Sequence, residues 1–351
     1  MTSYQRVMTA LGGGKPDRVP VMIFNRDWTV NHLGFSASDM LGNAERFVYA
    51  QYYCARSLGY DVVQDAHGIN AESEAMGCRL TCTEDFQLKL DNNPVKDLDS
   101  DLPGLEIADP HRDGRLPLLL TQTSRLKELS GSELAVNSYV QAPFRHAAML
   151  RGNDIYRDII RNRERLHELM EIALANQVVY ATALVHAGAD VIAVSDPTSS
   201  GDVVSPKQWL EIGHRYVKEL VRHIKKTGAA VYLHICGDTS DRLDTFAALD
   251  IDGISLDEKV DLEQARSILG DKLCIIGNVG TTNMLVNSPE EIAEESRICI
   301  EKAGAEFETI IVDTTTLNAP ANALCGLSNQ LIKEKWGFAT ASAPSNGSYM
   351  E

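Results

Sequence analysis

His234 and Cys236 stand two apart near the end of the stretch Ala-Ala-Val-Tyr-Leu-His-Ile-Cys-Gly-Asp, residues 229–238. β-Forming residues lead into the pair and Gly237 follows it, which predicts a strand over 229–234 giving way to a turn. Side chains two apart in a strand point to the same side, so the imidazole and the thiol converge. One nitrogen and one sulfur at a strand end are ligands that zinc takes. The competing reading is a core histidine beside a buried free cysteine. Their place at a strand-to-turn boundary favours the metal.

The elements around the pair alternate. Strands are predicted over 18–24, 61–65, 133–140, 190–195, 229–234, 253–256, 272–277 and 309–312. Helices are predicted over 4–11, 38–58, 118–129, 155–186, 206–224, 240–249, 262–269, 289–303 and 321–335. Ser205-Pro206 reads as an N-cap with proline in the first helical position, and Ser288-Pro-Glu-Glu291 as a capping box. Strand–helix units repeated about eight times favour a (β/α)₈ barrel with an N-terminal extension. The barrel takes residues 1–339, with a small β-rich insertion over 72–115, and a small, polar tail covers 340–351. A doubly wound open sheet competes, but no Gly-x-Gly-x-x-Gly loop follows any strand and no Walker sequence is present.

Composition excludes some functions. A formal net charge of −16 disfavours a nucleic-acid partner, which needs a basic face. No long uncharged apolar run marks a membrane span, and the N-terminus lacks a signal-peptide core. Seven scattered cysteines, an odd number, do not make a disulfide framework and fit a reducing cytoplasm.

A barrel keeps its chemistry at the C-terminal strand ends. Those ends carry Asn25-Arg26-Asp27, Asp65-Ala66-His67, Asn137 with Tyr139, Ser195-Asp196, His234 with Cys236, Asp257-Glu258, Gly277-Asn278 and Asp313-Thr314. From this polar rim, Asp65, Asp196 and Glu258 are the candidate catalytic carboxylates. Arg26, Asn137, Tyr139 and Asn278 are the candidate substrate-binding groups, and Trp28, Tyr139 and Phe144 the candidate aromatic walls.

The chain resembles the uroporphyrinogen decarboxylase superfamily and, within it, the zinc-dependent, corrinoid-linked methyltransferases. The resemblance rests on Arg6-Val-Met-Thr-Ala-Leu11, Lys15-Pro-Asp-Arg-Val-Pro20, Glu74-Ala-Met-Gly77, Val204-Ser-Pro-Lys-Gln-Trp209, His234-Ile-Cys-Gly237, Ser255-Leu-Asp-Glu-Lys-Val-Asp261 and Gly277-Asn-Val-Gly280. These run in order over nearly the whole chain, and His-x-Cys-Gly is the specific one. The resemblance implies a (β/α)₈ barrel, in agreement with the pattern of elements. It also implies that His234 and Cys236 hold Zn²⁺ with a third ligand near the last strand. The family's cysteine would fall near 313–316, where none stands. Cys325, slightly later, is the candidate third ligand and Asp313 the alternative; Cys274 and Cys299 read as core. Glu258 matches a carboxylate that some relatives place on the metal when substrate is absent.

The decarboxylases carry an arginine-rich signature after the first strand, whereas this chain has Arg26 alone in Phe24-Asn-Arg-Asp-Trp-Thr29. Decarboxylation therefore ranks second, and a barrel that only binds a tetrapyrrole or a partner ranks below it. No cobalamin-binding segment is read in the chain, so the corrinoid is expected on a separate protein. Replacing a sulfur ligand by oxygen makes zinc a stronger Lewis acid. That favours demethylation of an aryl methyl ether, with a coenzyme M-like thiol or tetrahydrofolate as alternative methyl acceptor.

Overall fold

Strand pairing in this chain is parallel throughout the main sheet, because each strand is followed by a helix that returns the chain to the same end. The computed structural model describes residues 1–24, 26–35, 41–66, 70–82, 88–270, 272–304 and 309–313. Eight strands form the sheet: β1 (Val21–Ile23), β2 (Val62–Gln64), β5 (Ala135–Gln141), β6 (Val191–Ser195), β7 (Ala230–Ile235), β8 (Gly253–Leu256), β9 (Cys274–Ile276) and β10 (Thr309–Asp313). Their spatial order is β1-β10-β9-β8-β7-β6-β5-β2. A separate antiparallel pair, β3 (Arg79–Cys82) and β4 (Leu88–Asn92), forms the hairpin expected in the insertion.

The ring closes between β1 and β2, and Asp61 is the closing residue. Its backbone N–H donates to Val21 O at 2.8 Å, and its carboxylate accepts from the Val21 N–H at 2.8 Å. Gln64 Nε2 adds a bond to Ile23 O at 2.6 Å. The same carboxylate, fully buried, takes Arg6 Nη1 at 2.6 Å and Arg18 Nη1 at 2.7 Å. Two stretches that carried the family resemblance thus converge at the bottom of the barrel, where they secure closure.

Alternation along the strands produces two cores. Val63, Val136, Ile192, Val194, Val231, Leu233 and Ile254 face the surrounding helices. Met22, Val62, Ala135, Val191, Ala193, Tyr232 and Ile276 fill the barrel interior, plugged from below by Val7, Ala10 and Leu11 of the helix Ser3–Leu11. With both faces covered, the strands need near-continuous apolar sequence, and the polar residues that do face inward stand out.

Most predicted elements are present within a few residues. The helix expected over 240–249 is only Leu243–Phe246, because Asp238 Oδ1 accepts the Ser240 N–H and the chain turns first. A helix that the sequence reading missed, Pro143–Arg151, opens directly after β5. The insertion is mixed rather than β-rich: it also contains the short helices Ala71–Ala75 and Leu98–Asp101. It docks on the helix Pro143–Arg151 through Asn93 Nδ2 to Met149 O at 2.7 Å and the Val95 N–H to Leu150 O at 3.0 Å. Among the described residues one helix, Arg163–Ala187, is long and apolar enough to cross a membrane, and about half of its apolar window is buried in the fold. The helix expected over 321–335 and the tail 340–351 lie outside the described residues.

Candidate active site at the barrel mouth

The register of β6, β7 and β8 places Ser195, His234 and Ser255 side by side at the C-terminal end of the barrel. His234 is buried, and its Nδ1 lies 2.9 Å from Ser255 Oγ. Its Nε2 lies 3.1 Å from Cys236 Sγ. The strand therefore does what the spacing predicts, and both donor atoms meet at one point. Burial pushes the His234 pKa down to about 4, with the Asp257 charge opposing, so the ring is neutral at physiological pH. Cys236 is open to the mouth, yet the rim around it displaces enough water to raise its thiol pKa; Asp257 adds to the rise and Arg145 opposes it.

The turn after Cys236 is held from both sides. Gly237 has φ +85°, and its N–H donates to Asp257 Oδ2 at 2.7 Å. A Cβ at this position would run into Ser200 Oγ and Asp202 Oδ2, so only glycine fits. The Gly201 N–H donates to Asp238 O at 2.8 Å, and the fully buried Arg242 holds the same loop through Ser199 O at 2.7 Å and Val204 O at 2.8 Å.

Neutral imidazole nitrogen and cysteine sulfur on one face suit zinc. Tetrahedral ligation by these two would separate them by roughly 3.6 Å, a small opening of the present pair. Among the described residues no third His, Cys, Asp or Glu joins them within metal-binding reach. Cys325 lies outside the described residues. Asp313 ends β10 in register with Ile23, which places its backbone on the rim. Glu258 is exposed, and its Oε2 accepts the Thr281 N–H at 2.7 Å.

The other candidates spread over three levels. Tyr139 is half-buried in the mouth, with its ring edge-on to Phe24 at 5.2 Å; Phe24 in turn lies 6.1 Å from the His234 ring. Below it Tyr232 Oη lies 3.5 Å from Tyr139 Oη and 3.4 Å from Asn137 Nδ2, so Asn137 sits deep in the barrel. Asn278 directs Nδ2 at two backbone carbonyls, Asp257 at 2.9 Å and Val260 at 2.7 Å, and so braces the loop after β8. Asp196 is buried under the mouth and accepts from Thr198 Oγ1 at 2.6 Å and Ser199 Oγ at 2.5 Å. Asp65 faces away from the lumen towards Thr123 of the helix Leu116–Ser130, 3.4 Å away. Arg26 opens the helix Arg26–His32 after β1. Trp28 stacks on His32 and Phe144 lies edge-on to Tyr156. Cys274 is buried inside the barrel.

Two residues at the mouth went unread in the sequence. Ser255 was visible as a polar residue in an apolar strand, two positions before Asp257. Arg145 was signalled by Pro143, whose fixed φ starts a helix just where β5 ends and puts the third helical residue at the rim.

This fold and site define a class. Residues 2–312 match the model of the uroporphyrinogen decarboxylase family, and the chain belongs to that family. Within the family the chain is similar to a methylcobamide:CoM methyltransferase MtbA of Methanosarcina acetivorans, 28% identical over 306 residues, covering 85% of this chain and 89% of the relative. A methylcobamide:CoM methyltransferase MtaA of Methanosarcina barkeri is 26% identical and covers 84% of this chain and 88% of its own. Among solved structures, a methyltransferase from Methanosarcina mazei superposes with a TM-score of 0.86 at 22% identity, over 94% of this chain and 98% of that one. The expected barrel is thereby established.

Proposed function

We propose that this enzyme, a corrinoid-dependent methyltransferase, moves a methyl group from a methylated corrinoid on a separate protein to a thiol bound at His234 and Cys236. The observation that carries the reading is the His234 Nε2–Cys236 Sγ pair, 3.1 Å apart and open to the barrel mouth. The names of the relatives, methylcobamide:CoM methyltransferases, support it. Ether demethylation, favoured in the sequence reading by the missing cysteine near 313–316, has no counterpart in those names. The thiol direction therefore replaces it.

His234 and Cys236 would hold zinc, with Cys325 or Asp313 as third ligand. When bound, zinc would keep an incoming thiol as its thiolate at neutral pH. Ser255 fixes the imidazole so that Nε2, rather than Nδ1, faces the metal position. Asp257 fixes the turn that carries Cys236. Phe24 and Tyr139 wall the lumen beneath, which keeps bulk water from the reacting sulfur. The sulfur attacks the methyl carbon; the S–C bond forms, the Co–C bond breaks, and its electron pair stays on cobalt. A reducing, cytoplasmic setting would keep the Cys236 thiol available to a metal.

The test is thiol-dependent loss of the methyl–cobalt absorbance when zinc-loaded protein meets methylcobalamin and 2-mercaptoethanesulfonate. Loss that His234→Ala abolishes supports the reading. No thiol-dependent loss, together with methylation of Co(I) by a methoxyarene, overturns it in favour of ether demethylation.

A further inference from the structure

Arg145 is the third residue of the helix Pro143–Arg151 and lies half-buried at the mouth. Other arginines drawn into this fold have contact partners. Arg6 and Arg18 hold Asp61, Arg151 holds Asp158 at 2.7 Å, and Arg242 holds two backbone carbonyls. The Arg145 guanidinium has no hydrogen bond or ion pair among the described residues. Two buried carboxylates, Asp196 and Glu72, lie within reach of its charge but are engaged elsewhere, Asp196 by Thr198 and Ser199 and Glu72 by the Gln141 N–H at 2.9 Å. The charge also reaches Cys236 and Tyr156. The Tyr156 hydroxyl is likewise without a described partner, and its ring is fixed edge-on against Phe144 at 6.2 Å.

We infer that Arg145, with the Tyr156 hydroxyl beside it, binds the anionic head of the small substrate, a carboxylate or sulfonate held a few bonds away from the reacting atom. A planar fork of five donors matches such a group bidentately. A local cation is also what a chain of net charge −16 needs if an anion is to enter its barrel. The spacer is short because Arg145 and Cys236 follow β5 and β7, strands two positions apart in the ring whose axes lie on the order of 10 Å from each other. The inference rests on the proposed function only in taking this mouth as the substrate site.

The test is calorimetric binding to zinc-loaded protein of two matched pairs, 2-mercaptoethanesulfonate against 2-mercaptoethanol and 4-methoxybenzoate against 4-methoxybenzyl alcohol. In one pair or the other the anion binds about 10- to 100-fold tighter than the neutral partner to the wild type. In Arg145→Gln the preference vanishes, Arg145→Lys retains part of it, and Tyr156→Phe loses a smaller share. Unchanged thermal unfolding of the variants separates lost binding from lost folding. Preference confined to the methoxy pair keeps the anion site while refuting the thiol reading. Equal binding within both pairs, a preference that survives Arg145→Gln, or no binding of any of the four overturns the inference.

Discussion

Replacing Ser255 by alanine tests how the His234 imidazole is aimed. Ser255 Oγ lies 2.9 Å from Nδ1, and both side chains are buried, so water cannot take the place of the lost hydroxyl. With Nδ1–H donated to Ser255, the lone pair of Nε2 faces Cys236. In the metal-free variant the ring is free to turn or change tautomer and recover a partner, but in the zinc-bound state Nε2 is committed and Nδ1–H stays orphaned. An orphaned buried donor costs about 1–3 kcal/mol, which is about a 5- to 150-fold loss of zinc affinity. Loss of an outer partner of a ligating histidine falls in the same range, about 10- to 100-fold. Competition for zinc against a chromophoric chelator measures it, with Ser255→Thr, which keeps a hydroxyl, as control. Zinc affinity in Ser255→Ala within about twofold of wild type, with unchanged unfolding, would refute the claim that this bond orients the ligand.

Three further outcomes are expected. Asp61→Asn leaves Arg6 and Arg18 without their shared buried carboxylate and should cost about 3–5 kcal/mol in denaturant unfolding; a loss below about 1 kcal/mol would mean that closure between β1 and β2 does not depend on it. His146 is buried against Ser73, Gln141 and Met76, and burial pushes its pKa down to about 3. Its unfolded form binds a proton near pH 6.5, so the stability it supports is intact above that pH. That stability falls as pH drops towards 3, at about 1.4 kcal/mol per unit, and His146→Gln should flatten this limb of a pH-stability curve. Elemental analysis should find zinc lost in His234→Ala and in Cys236→Ala but kept in Cys274→Ala; zinc lost in Cys325→Ser assigns that residue as third ligand, and zinc kept there but lost in Asp313→Asn assigns the aspartate.

The parts of the site legible in the sequence are those set by short spacing. His234 and Cys236 converge because a strand has a period of two, whatever surrounds it. Gly237 reads as a turn for the same local reason. Rim residues named from their nearness to a strand end fared differently, because nearness does not say which way a side chain points. Asp65 and Asp196 follow their strands, but one turns out to Thr123 and the other down to the Thr198 and Ser199 hydroxyls. Asn278 stands at the mouth yet braces a loop.

By itself, then, the order of residues determined the alternation of strands and helices, the barrel and the donor pair at the end of β7, all of them consequences of local periodicity and of capping. The tertiary structure decided what depends on contacts between distant segments. Asp61 closes the barrel because residues 6, 18, 21 and 61 meet in space. Ser255 becomes the orienting partner of His234 because β7 and β8 pair in one register and no other. Arg145 stands at the mouth with no hydrogen bond or ion pair among the described residues because the nearby carboxylates, Asp196 and Glu72, are engaged by hydroxyls and a backbone N–H. Which polar groups are already engaged, and which remain to meet a substrate, is a property of the whole packed molecule, and no local pattern encodes it.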